Sequence, residues 1–479
     1  MKMKNADISS FLNIEENFNL YYDKIENVNY WIYSRWFIWN MIRAQLMNIE
    51  VPEKKPSIPL NKMFITASTL LKNCLFSGCV RRKNIDILFL AHERRILDGK
   101  FYKCMYTEKL TDIFPEHLVL EHPYIYKHFR PVKTKRLVYT DRIAVNGELK
   151  YRFIKKILTH RYEELVRIIK KKIEIPVSKL AQLYGVFLNL DEITGIIAEK
   201  IIFVRVKRKY FQRILNKCRP KVIVQVVNYA MDCMVVNELA KTMHIRTIEL
   251  QHGQISAWHI AYNYCGKQKI DQLPDKILLF SEYWKENINI SSGQTELMVT
   301  GFPYFEEQRV KYFNKSKRKQ TIIFISQMEI GLQLSKIASS LYDLMENYSY
   351  QIIYKLHPNE YSSWKDKYPW LLKRNIRVVD NKQNLYELFG ESEIQVGVCS
   401  TGLYEGLGFE LQTYILDLPL SDEMKKLKSA GYVEFFSTAN ELLELISKPR
   451  INHKNDFWKE DSLNNMVRVI TDELQRKEG

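Results

Sequence analysis

Three polar clusters in this sequence each follow directly on an apolar run that predicts a β-strand. The first begins after "RTIEL" with Gln251 and His252, which Gly253 follows. A second imidazole, His259, lies seven residues beyond His252. An imidazole that titrates near pH 7 can take a proton from an attacking hydroxyl, so His252 is a candidate base or acceptor-binding residue. We expect Gly253 to permit a sharp turn. The alternative is that His252 only orders its loop.

The second cluster lies in "YKLHPNE", after the apolar run "QII". Lys355 and His357 are two positions apart on the predicted strand, so their side chains point the same way. Pro358 cannot donate to a strand ladder and marks the exit of the chain from the sheet. A cation and an imidazole side by side suit the phosphate of a nucleotide. Taken alone, a histidine at a strand end is more often structural than catalytic.

The third cluster, "VCSTGLYEG", stands between the predicted strand "IQVGV" and a helix. The first turn of a helix has unpaired N–H groups and a partial positive charge, which attract phosphate. Ser400 and Thr401 add hydroxyl donors there, and Gly402 lets the backbone approach a ligand closely. Glu405 lies one turn further on the same helix face, where it can accept hydrogen bonds from a ribose diol. The alternative is that Ser400 is only the N-cap of the helix.

Strand-like runs alternate with helical patterns along most of the chain. The run "KVIVQVV" (221–227), the helical pattern 231–245 and the run "RTIEL" (246–250) form a βαβ unit. Continuous β-branched runs are typical of parallel strands that helices cover on both faces. The same alternation begins again after residue 320. We therefore predict an α/β fold with two parallel-sheet domains that face a cleft, where the carboxyl ends of the strands bind ligands.

The charged segment "NKSKRKQ" (314–320) sets the predicted domain boundary. We predict an N-terminal helical and aromatic segment before the first strand, a first α/β domain, a second α/β domain and a C-terminal helix. The predicted ranges are 1–83, 84–313, 314–450 and 451–479.

Composition limits the class of protein. At 479 residues the chain is too long for one compact core, which favours two domains. The seven cysteines are scattered and form no CxxC pair, so neither a zinc site nor a disulfide framework is predicted, and a reducing compartment fits. The N-terminus lacks the apolar region of a secretory signal, and no stretch reaches the roughly 20 apolar residues of a membrane span. We expect a cytoplasmic protein.

The formal charge of +17 favours an anionic partner: nucleic acid, anionic lipid or a phosphorylated small molecule. The basic stretch "VRVKRKYFQRILNKCRPK" (204–221) raises the nucleic-acid alternative. It stands on a predicted helix before a buried strand and carries no nucleic-acid motif, so we expect no nucleic-acid partner.

The segment 21–46 carries three tryptophans with Arg35 and Arg43 among them. Two interpretations stay open. The segment either packs on the first domain, or it lies on a membrane surface with its aromatic rings at the headgroup level and its arginines on phosphates. The second interpretation predicts peripheral association with the inner membrane face.

The pair "KLHPNE" and "CSTGLYEG" resembles the HP and Ser/Thr motifs of bacterial sialyltransferases and Kdo transferases, which are GT-B glycosyltransferases. The resemblance implies two Rossmann-like domains, a CMP-linked sugar donor, and contacts to the donor phosphate from His357, Ser400 and Thr401. That group takes its base from a D/E-D/E-G motif in the first domain. The nearest match here is "LDGK", which has Leu97 in place of the first acid and makes Asp98 a second candidate base.

The "LQHG" segment, followed by the same two motifs, is also similar to the glycerol- and ribitol-phosphate transferases of teichoic acid synthesis, which use CDP-activated alditols. In that group the histidine of the "HG" segment is essential, and here it would be His252. With "VTGFPY" added, the set resembles capsule and surface-polysaccharide proteins, over about residues 84 to 420.

These resemblances imply a metal-independent GT-B glycosyltransferase of capsule or surface-polysaccharide synthesis. It would move a sugar from a nucleotide donor, CMP-linked by the first resemblance, to a glycan or lipid-linked acceptor, with no cofactor. One alternative is a CDP-glycerol or CDP-ribitol phosphotransferase. Another is a nucleic-acid-binding or non-catalytic sugar-binding protein.

Overall fold

The computed structural model describes residues 8–46, 84–124, 127–266, 269–291, 293–313, 320–328, 330–345, 348–448 and 457–476. The chain forms two compact units. Unit 1 consists of residues 1–301 and 461–479, and unit 2 consists of residues 302–460.

Unit 1 is built on a parallel sheet of seven strands, in the order β5-β4-β1-β6-β7-β8-β9, with a separate β2–β3 hairpin. Mostly β-branched and aliphatic residues fill both faces of its central strands β1 and β6, and all of them except Ala91 are buried. The strands are β1 (Ile87–Ala91), β2 (Ile96–Asp98), β3 (Phe101–Lys103), β4 (His117–Glu121), β5 (Leu137–Tyr139), β6 (Val222–Val226), β7 (Arg246–Leu250), β8 (Lys276–Leu279) and β9 (Glu296–Val299).

Helices cover this sheet. The longest two are consecutive and pack on each other, Thr159–Tyr184 and Leu190–Cys218. The helices of unit 1 are Ile8–Asn17, Arg35–Leu46, Glu108–Ile113, Asp141–Lys156, Thr159–Tyr184, Leu190–Cys218, Met231–Thr242, Glu282–Lys285 and Ser462–Gln475, with a short 3-10 helix at Ile260–Tyr262.

The aromatic N-terminal segment belongs to the core of unit 1. Trp31 and Trp39 are fully buried there, while Trp36 on the helix Arg35–Leu46 is partly exposed. Arg35 is buried and pairs with the buried carboxylate of Glu15, with 2.6 Å between Arg35 Nη2 and Glu15 Oε2. Of the two interpretations of this segment, the structure therefore shows the packed one for most of its rings.

Unit 2 contains a second parallel sheet of six strands, in the order β12-β11-β10-β13-β14-β15. Its strands are β10 (Thr321–Ile325), β11 (Gln351–Lys355), β12 (Arg377–Val379), β13 (Ile394–Gly397), β14 (Gln412–Leu416) and β15 (Glu434–Phe436). Its α-helices are Pro303–Tyr312, Gly331–Leu344, Trp364–Lys367, Leu385–Glu391, Thr401–Gly408, Lys425–Ser429 and Ala439–Ser447, and its 3-10 helices are Pro358–Glu360, Pro369–Lys373 and Pro419–Met424.

The two sheets confirm the predicted fold class, an α/β architecture with two Rossmann-like parallel-sheet domains. The compact units divide the chain elsewhere than the sequence did. Unit 2 begins at Phe302, before the charged segment 314–320, whose residues 314–319 lie outside the described part of the chain. The C-terminal helix Ser462–Gln475 belongs to unit 1, as do the described residues 8–46 of the N-terminal segment.

None of the helices in the described ranges is both long and apolar enough to cross a membrane. The basic stretch 204–221 lies mostly on the helix Leu190–Cys218, and several of its cations make ion pairs inside unit 1. Lys207 pairs with Asp232, and Arg208 with Glu238.

Candidate functional site

The carboxyl ends of β1, β6 and β7 are neighbours in the unit 1 sheet, and each is followed by an aromatic or imidazole side chain. His92 comes directly after β1, Tyr229 comes three residues after β6, and His252 comes two residues after β7. The ring centroids of His92 and His252 are 6.3 Å apart, and those of Tyr229 and His252 are 5.8 Å apart. The strand order therefore brings together groups that are far apart in the sequence.

His252 is half-buried at the centre of this cluster. Its Nε2 lies 3.2 Å from the hydroxyl of Tyr229, and its backbone carbonyl accepts a hydrogen bond of 2.6 Å from Tyr106. Its Nδ1 is buried and has no hydrogen-bond partner among the described residues. Burial, with the neighbouring rings of His259 and His92, lowers the pKa of His252 to about 3, so the ring is neutral at pH 7.

His259 extends the cluster on the other side of Tyr229, with 5.0 Å between the two ring centroids. Its Nδ1 is also buried without a hydrogen-bond partner in the described part of the chain. Burial and the nearby charge of Arg43 lower the pKa of His259 to about 4. Burial likewise lowers the pKa of His92, so all three imidazoles are uncharged at neutral pH.

The N-terminal segment holds the loop that carries His259. The guanidinium of Arg35 donates to the carbonyls of Ile260 and Asn263, and the indole of Trp39 donates to the carbonyl of Trp258. Because both donors are fixed in the core, the position of the second imidazole depends on residues more than 200 positions away.

A buried carboxyl group lies beneath the cluster. Glu249, on β7, accepts hydrogen bonds from the hydroxyl of Tyr262 at 2.7 Å and from the backbone N–H of Asn228 at 3.0 Å. Burial raises the pKa of Glu249 to about 7, which makes its protonated and ionised forms comparably populated at neutral pH.

Gln251 and Gly253, predicted to line the site, have mainly structural surroundings. Gln251 is fully buried, donates to the carbonyl of Gly253 and accepts from the backbone N–H of Phe280 at 2.8 Å. The chain bends at Gly253, but the bend does not use a backbone conformation that requires glycine. The φ of Gly253 lies outside the left-handed region, and a Cβ built on it meets no atom within 4 Å. The amide of Gln251, and not a special glycine conformation, closes this loop.

The strained residue at this edge is Val227, directly after β6. Its φ is 66°, a left-handed conformation that is rare for a β-branched residue. The turn delivers Tyr229 to His252 two residues later. Strain of this kind costs about 1–3 kcal/mol and is concentrated at functional sites.

The second candidate base, Asp98, lies elsewhere in unit 1. It ends β2 of the small hairpin, its side chain is 64% exposed, and its carboxylate is 2.6 Å from the ammonium group of Lys103. None of the hydrogen bonds described above for His252 involves Asp98.

In unit 2, β10 lies between β11 and β13, and the two predicted donor-binding clusters follow those outer strands. The chain after β10 connects to both. Ser326 donates to the carboxylate of Glu360 at 3.0 Å, and the side-chain oxygen of Gln327 accepts from the backbone N–H of Cys399 at 3.2 Å. The loops after all three strands are thus held together within one unit.

His357 and Lys355 take different local partners. His357 caps the short helix Pro358–Glu360, since its Nδ1 accepts from the N–H of Asn359 and its own N–H donates to Glu360 at 2.7 Å. Lys355 donates to the carbonyl of Asp380 at 2.7 Å, and burial lowers the pKa of its ammonium group. Pro358 is exposed just beyond the sheet, as expected for the residue that ends the strand.

Ser400 is the N-cap of the helix Thr401–Gly408, and its hydroxyl accepts from the N–H of Gly402 at 3.3 Å. The capping interpretation of Ser400 is therefore observed, and the hydroxyl of the next residue, Thr401, is exposed. Gln395, on β13, donates to the carbonyl of Leu403 at 2.7 Å and fixes this helix against the sheet.

Glu405 lies on this helix, one turn after Thr401, and accepts a hydrogen bond of 3.0 Å from the hydroxyl of Tyr386. Burial raises the pKa of Glu405 to about 7. A carboxyl group in this state can both donate to and accept from the hydroxyls of a ribose.

Sequence reasoning missed Tyr229, His92 and Glu249. A signal for the first two was present, because each follows a buried strand within three residues, as His252 does. Neither residue belongs to a recognisable motif. In the described part of the chain, no group of three or more His, Cys, Asp or Glu side chains is arranged to hold a metal ion.

No protein-family model matches this chain, and no curated protein matches its sequence. Solved structures resemble it in fold. The UDP-GlcNAc 2-epimerase of Methanocaldococcus jannaschii is 12% identical over 81% of this chain and 99% of its own, with a TM-score of 0.49. A putative UDP-N-acetylglucosamine 2-epimerase of Listeria monocytogenes is 10% identical over 83% and 98%, with a TM-score of 0.48.

The wall teichoic acid polymerase TagF is 10% identical over 91% of this chain and 98% of its own, with a TM-score of 0.40. It belongs to the teichoic acid synthesis named in the second resemblance. None of these three structures is a sialyltransferase or a Kdo transferase. Identities of this size concern the fold alone.

Proposed function

We propose that the protein is a transferase that moves a group from a cytidine-nucleotide-linked donor to a hydroxyl of a surface-polysaccharide or lipid-linked acceptor. The observation that carries the proposal is the buried Nδ1 of His252, which has no hydrogen-bond partner among the described residues and lies at the carboxyl edge of a parallel sheet. A buried polar atom without a hydrogen-bond partner destabilises the fold unless a ligand forms a hydrogen bond with it, and ligands bind at such edges.

In this proposal His252 is the base. With its proton on Nε2 and donated to the hydroxyl of Tyr229, the ring presents a lone pair at Nδ1 to the acceptor hydroxyl. The pKa of about 3 belongs to a ring among apolar atoms and other imidazoles. A phosphate placed beside it favours the imidazolium form and raises this pKa towards the range of an efficient base.

Unit 2 supplies the nucleotide contacts in this proposal. The first turn of the helix Thr401–Gly408 offers backbone N–H groups to a phosphate, and the exposed hydroxyl of Thr401 adds a donor. Glu405, with a pKa raised to about 7, takes the ribose hydroxyls, and His357 takes a phosphate oxygen. The leaving phosphate is stabilised by the helix terminus and by Lys355, without a metal ion.

Two transfers fit this arrangement. The resemblance to sialyl and Kdo transferases implies that a sugar leaves CMP, with an acidic residue as base. The carboxylate of Asp98 is exposed and ion-paired, so it is a poor candidate for this acidic base. The neutral imidazole of His252 is the better candidate for a base. This contrast favours the second candidate, transfer of glycerol phosphate or ribitol phosphate from a CDP-alditol.

The test begins with nucleotide binding. Purified full-length protein is titrated with CMP, CDP, UMP and UDP, and its thermal unfolding is followed. A ligand at a hundredfold excess over its Kd stabilises the native state by about 2.7 kcal/mol. Cytidine nucleotides are expected to raise the unfolding temperature more than uridine nucleotides. Equal or absent shifts would contradict the choice of donor.

Transfer assays with a CMP-sugar and with CDP-glycerol then separate the two reactions.

Ser400→Ala tests the helix Thr401–Gly408 as part of the donor site. It is compared with Thr438→Ala, which removes the N-cap of another helix in unit 2, where the Thr438 hydroxyl accepts from Glu441 N–H at 3.2 Å. Each change is expected to cost about 1 kcal/mol of stability. Only Ser400→Ala is expected to weaken nucleotide binding, and equal affinities would place the Ser400 helix outside the donor site.

A further inference from the structure

One end of unit 1 combines exposed apolar side chains with cations. The helices Asp141–Lys156 and Thr159–Tyr184 are consecutive, and the hairpin tip, defined as residues 149–162, contains the turn between them. Four large apolar side chains of the hairpin tip are exposed: Leu149 by 59%, Phe153 by 47%, Ile157 by 66% and Leu158 by 37%. Exposed apolar residues concentrated in this way commonly mark an interaction surface.

Three of these side chains share one face. Leu149, Phe153 and Ile157 are spaced by four residues, and Ile157 keeps right-handed helical backbone angles beyond the end of its helix. The other side of the hairpin tip is packed. Ile154 is buried, and the rings of Tyr151 and Tyr162 meet with their centroids 6.3 Å apart. The packed side of the hairpin tip therefore holds the helix that carries the exposed apolar side chains in place.

The same 14 residues carry five Lys and Arg side chains and no Asp or Glu: Lys150, Arg152, Lys155, Lys156 and Arg161. The nearest acids in the sequence, Glu148 and Glu163, lie outside the hairpin tip. Two of the five cations have ion-pair partners, since Arg152 pairs with Glu148 and Arg161 with Glu26. Lys150 lies over the ring of Phe153, with 5.5 Å between its Nζ and the centroid. Cations thus flank the apolar face directly.

We propose that the hairpin tip docks unit 1 on the surface of an anionic lipid bilayer. The apolar side chains enter the boundary between headgroups and acyl chains, and the flanking cations contact lipid phosphates. The positive charge of the hairpin tip favours an anionic bilayer as the partner. A second copy of the chain would set the lysines of one tip, Lys150, Lys155 and Lys156, against the same lysines of the other, whereas an anionic bilayer complements them. This proposal is independent of the proposed transfer reaction.

The experiment measures co-sedimentation of the full-length protein with phosphatidylcholine vesicles that either contain or lack phosphatidylglycerol. We expect binding only to the anionic vesicles. We also expect it to weaken between about 0.1 M and 1 M salt, where the Debye length falls from about 10 Å to about 3 Å. A wild-type protein that ignores anionic vesicles at low salt overturns the proposal.

Two variants locate the surface. Lys150→Gln with Lys156→Gln removes charge, and Leu149→Ser with Ile157→Ser removes apolar area. Each is expected to weaken vesicle binding by about tenfold or more. Since all four side chains are exposed, circular dichroism and thermal unfolding are expected to match the wild type.

The matched control is Lys365→Gln with Lys367→Gln and Leu372→Ser, which changes exposed residues of the same types in unit 2. It is expected to bind vesicles as the wild type does. Equal losses in the control and in the tip variants would reduce the effect to general charge and overturn the proposal. So would a change in oligomeric state of the tip variants without lipid, since that would identify a self-association surface.

Discussion

The imidazole of His252 combines an unpaired nitrogen with a suppressed charge. At pH 7 the ring is neutral, so it keeps one proton and can accept a second, and Tyr229 fixes the orientation of the ring. A group with these properties suits proton abstraction better than the binding of a free phosphate by charge. This distinction leads to a prediction for turnover that is separate from affinity.

Replacing His252 by asparagine is expected to reduce kcat by about 10²–10⁴, the usual contribution of general acid–base catalysis, and to leave nucleotide affinity unchanged. Single-turnover transfer assays and nucleotide titrations measure the two effects. His244→Asn is the control, because His244 is exposed next to the amino end of β7 and its φ of 57° suits asparagine. Normal turnover in His252→Asn would return this residue to a structural role.

Acid stability follows from the same lowered pKa. The folded-state pKa of His252, about 3, lies below the unfolded value of about 6.5. Protons therefore bind preferentially to the unfolded state. The stabilising contribution is complete above pH 6.5 and is lost as the pH falls towards 3.

We expect the free energy of unfolding of wild type to fall relative to that of His252→Asn, by about 1–3 kcal/mol between pH 6.5 and pH 4. Urea unfolding of both proteins across this range gives the difference. The difference is the useful quantity, because Glu249 has the opposite sign: its pKa, raised to about 7, adds stability as the pH falls. Parallel curves for the two proteins would show that His252 is not desolvated.

At this scale the sequence indicated His252 but not its partners. The histidine follows a strand inside a motif, and that pattern can be read locally. Tyr229 reaches it only because β6 and β7 are neighbours and because Val227 adopts a left-handed turn. Neither fact has a local sequence signal. The loop at Gly253 has no complete local signal either: the chain bends there, but it is the amide of Gln251 that closes the loop.

At the scale of elements, the buried ion pair of Arg35 and Glu15 joins the N-terminal segment to the loop of His259. Arg35→Met is expected to lower the free energy of unfolding by about 3–5 kcal/mol, since it leaves a buried carboxylate without its partner. Urea unfolding measures this cost. Adding Glu15→Gln in the same chain is expected to recover part of it. If the single variant were as stable as wild type, the pair would not be desolvated in solution.

The strands with long apolar runs could be predicted from the sequence, as β6, β7 and β13 were. The short edge strand β5, "LVY", could not, because three residues show no periodicity. The aromatic segment allowed two interpretations, since tryptophans suit both a core and a membrane surface. Only the packing of Trp31 and Trp39 separates them.

At the scale of the whole molecule, unit 1 is made from two separated parts of the chain. The helix Ser462–Gln475 returns from the end of unit 2 and buries Met466, Val469 and Ile470 against the sheet of unit 1. The sequence analysis predicted a C-terminal helix in the range 451–479. A helical period does not say which of two sheets the apolar face covers, so the predicted C-terminal helix was not assigned to unit 1.

Ile470→Ala is expected to destabilise unit 1 by about 2–5 kcal/mol, because it opens a cavity among fully buried side chains. Hydrogen exchange resolved by unit measures this loss, which is expected in β6 but not in β13. Ile446→Ala, in a helix of unit 2, is the matched control with the opposite pattern. Equal effects on both units would mean that they unfold together.

The return of the last helix also sets an order of events during synthesis. Unit 2 is complete when its final residue leaves the ribosome, but the sheet of unit 1 must wait for residues 461–479. At about 5–20 residues per second, the roughly 160 residues in between take about 8–30 s, and the apolar face around Phe89 and Val224 lacks its C-terminal helix for that time. A chain truncated anywhere in unit 2 never gains this helix. Chaperones and proteases that bind exposed apolar surface can therefore recognise a nascent chain in which the helix Ser462–Gln475 has not yet packed on the unit 1 sheet.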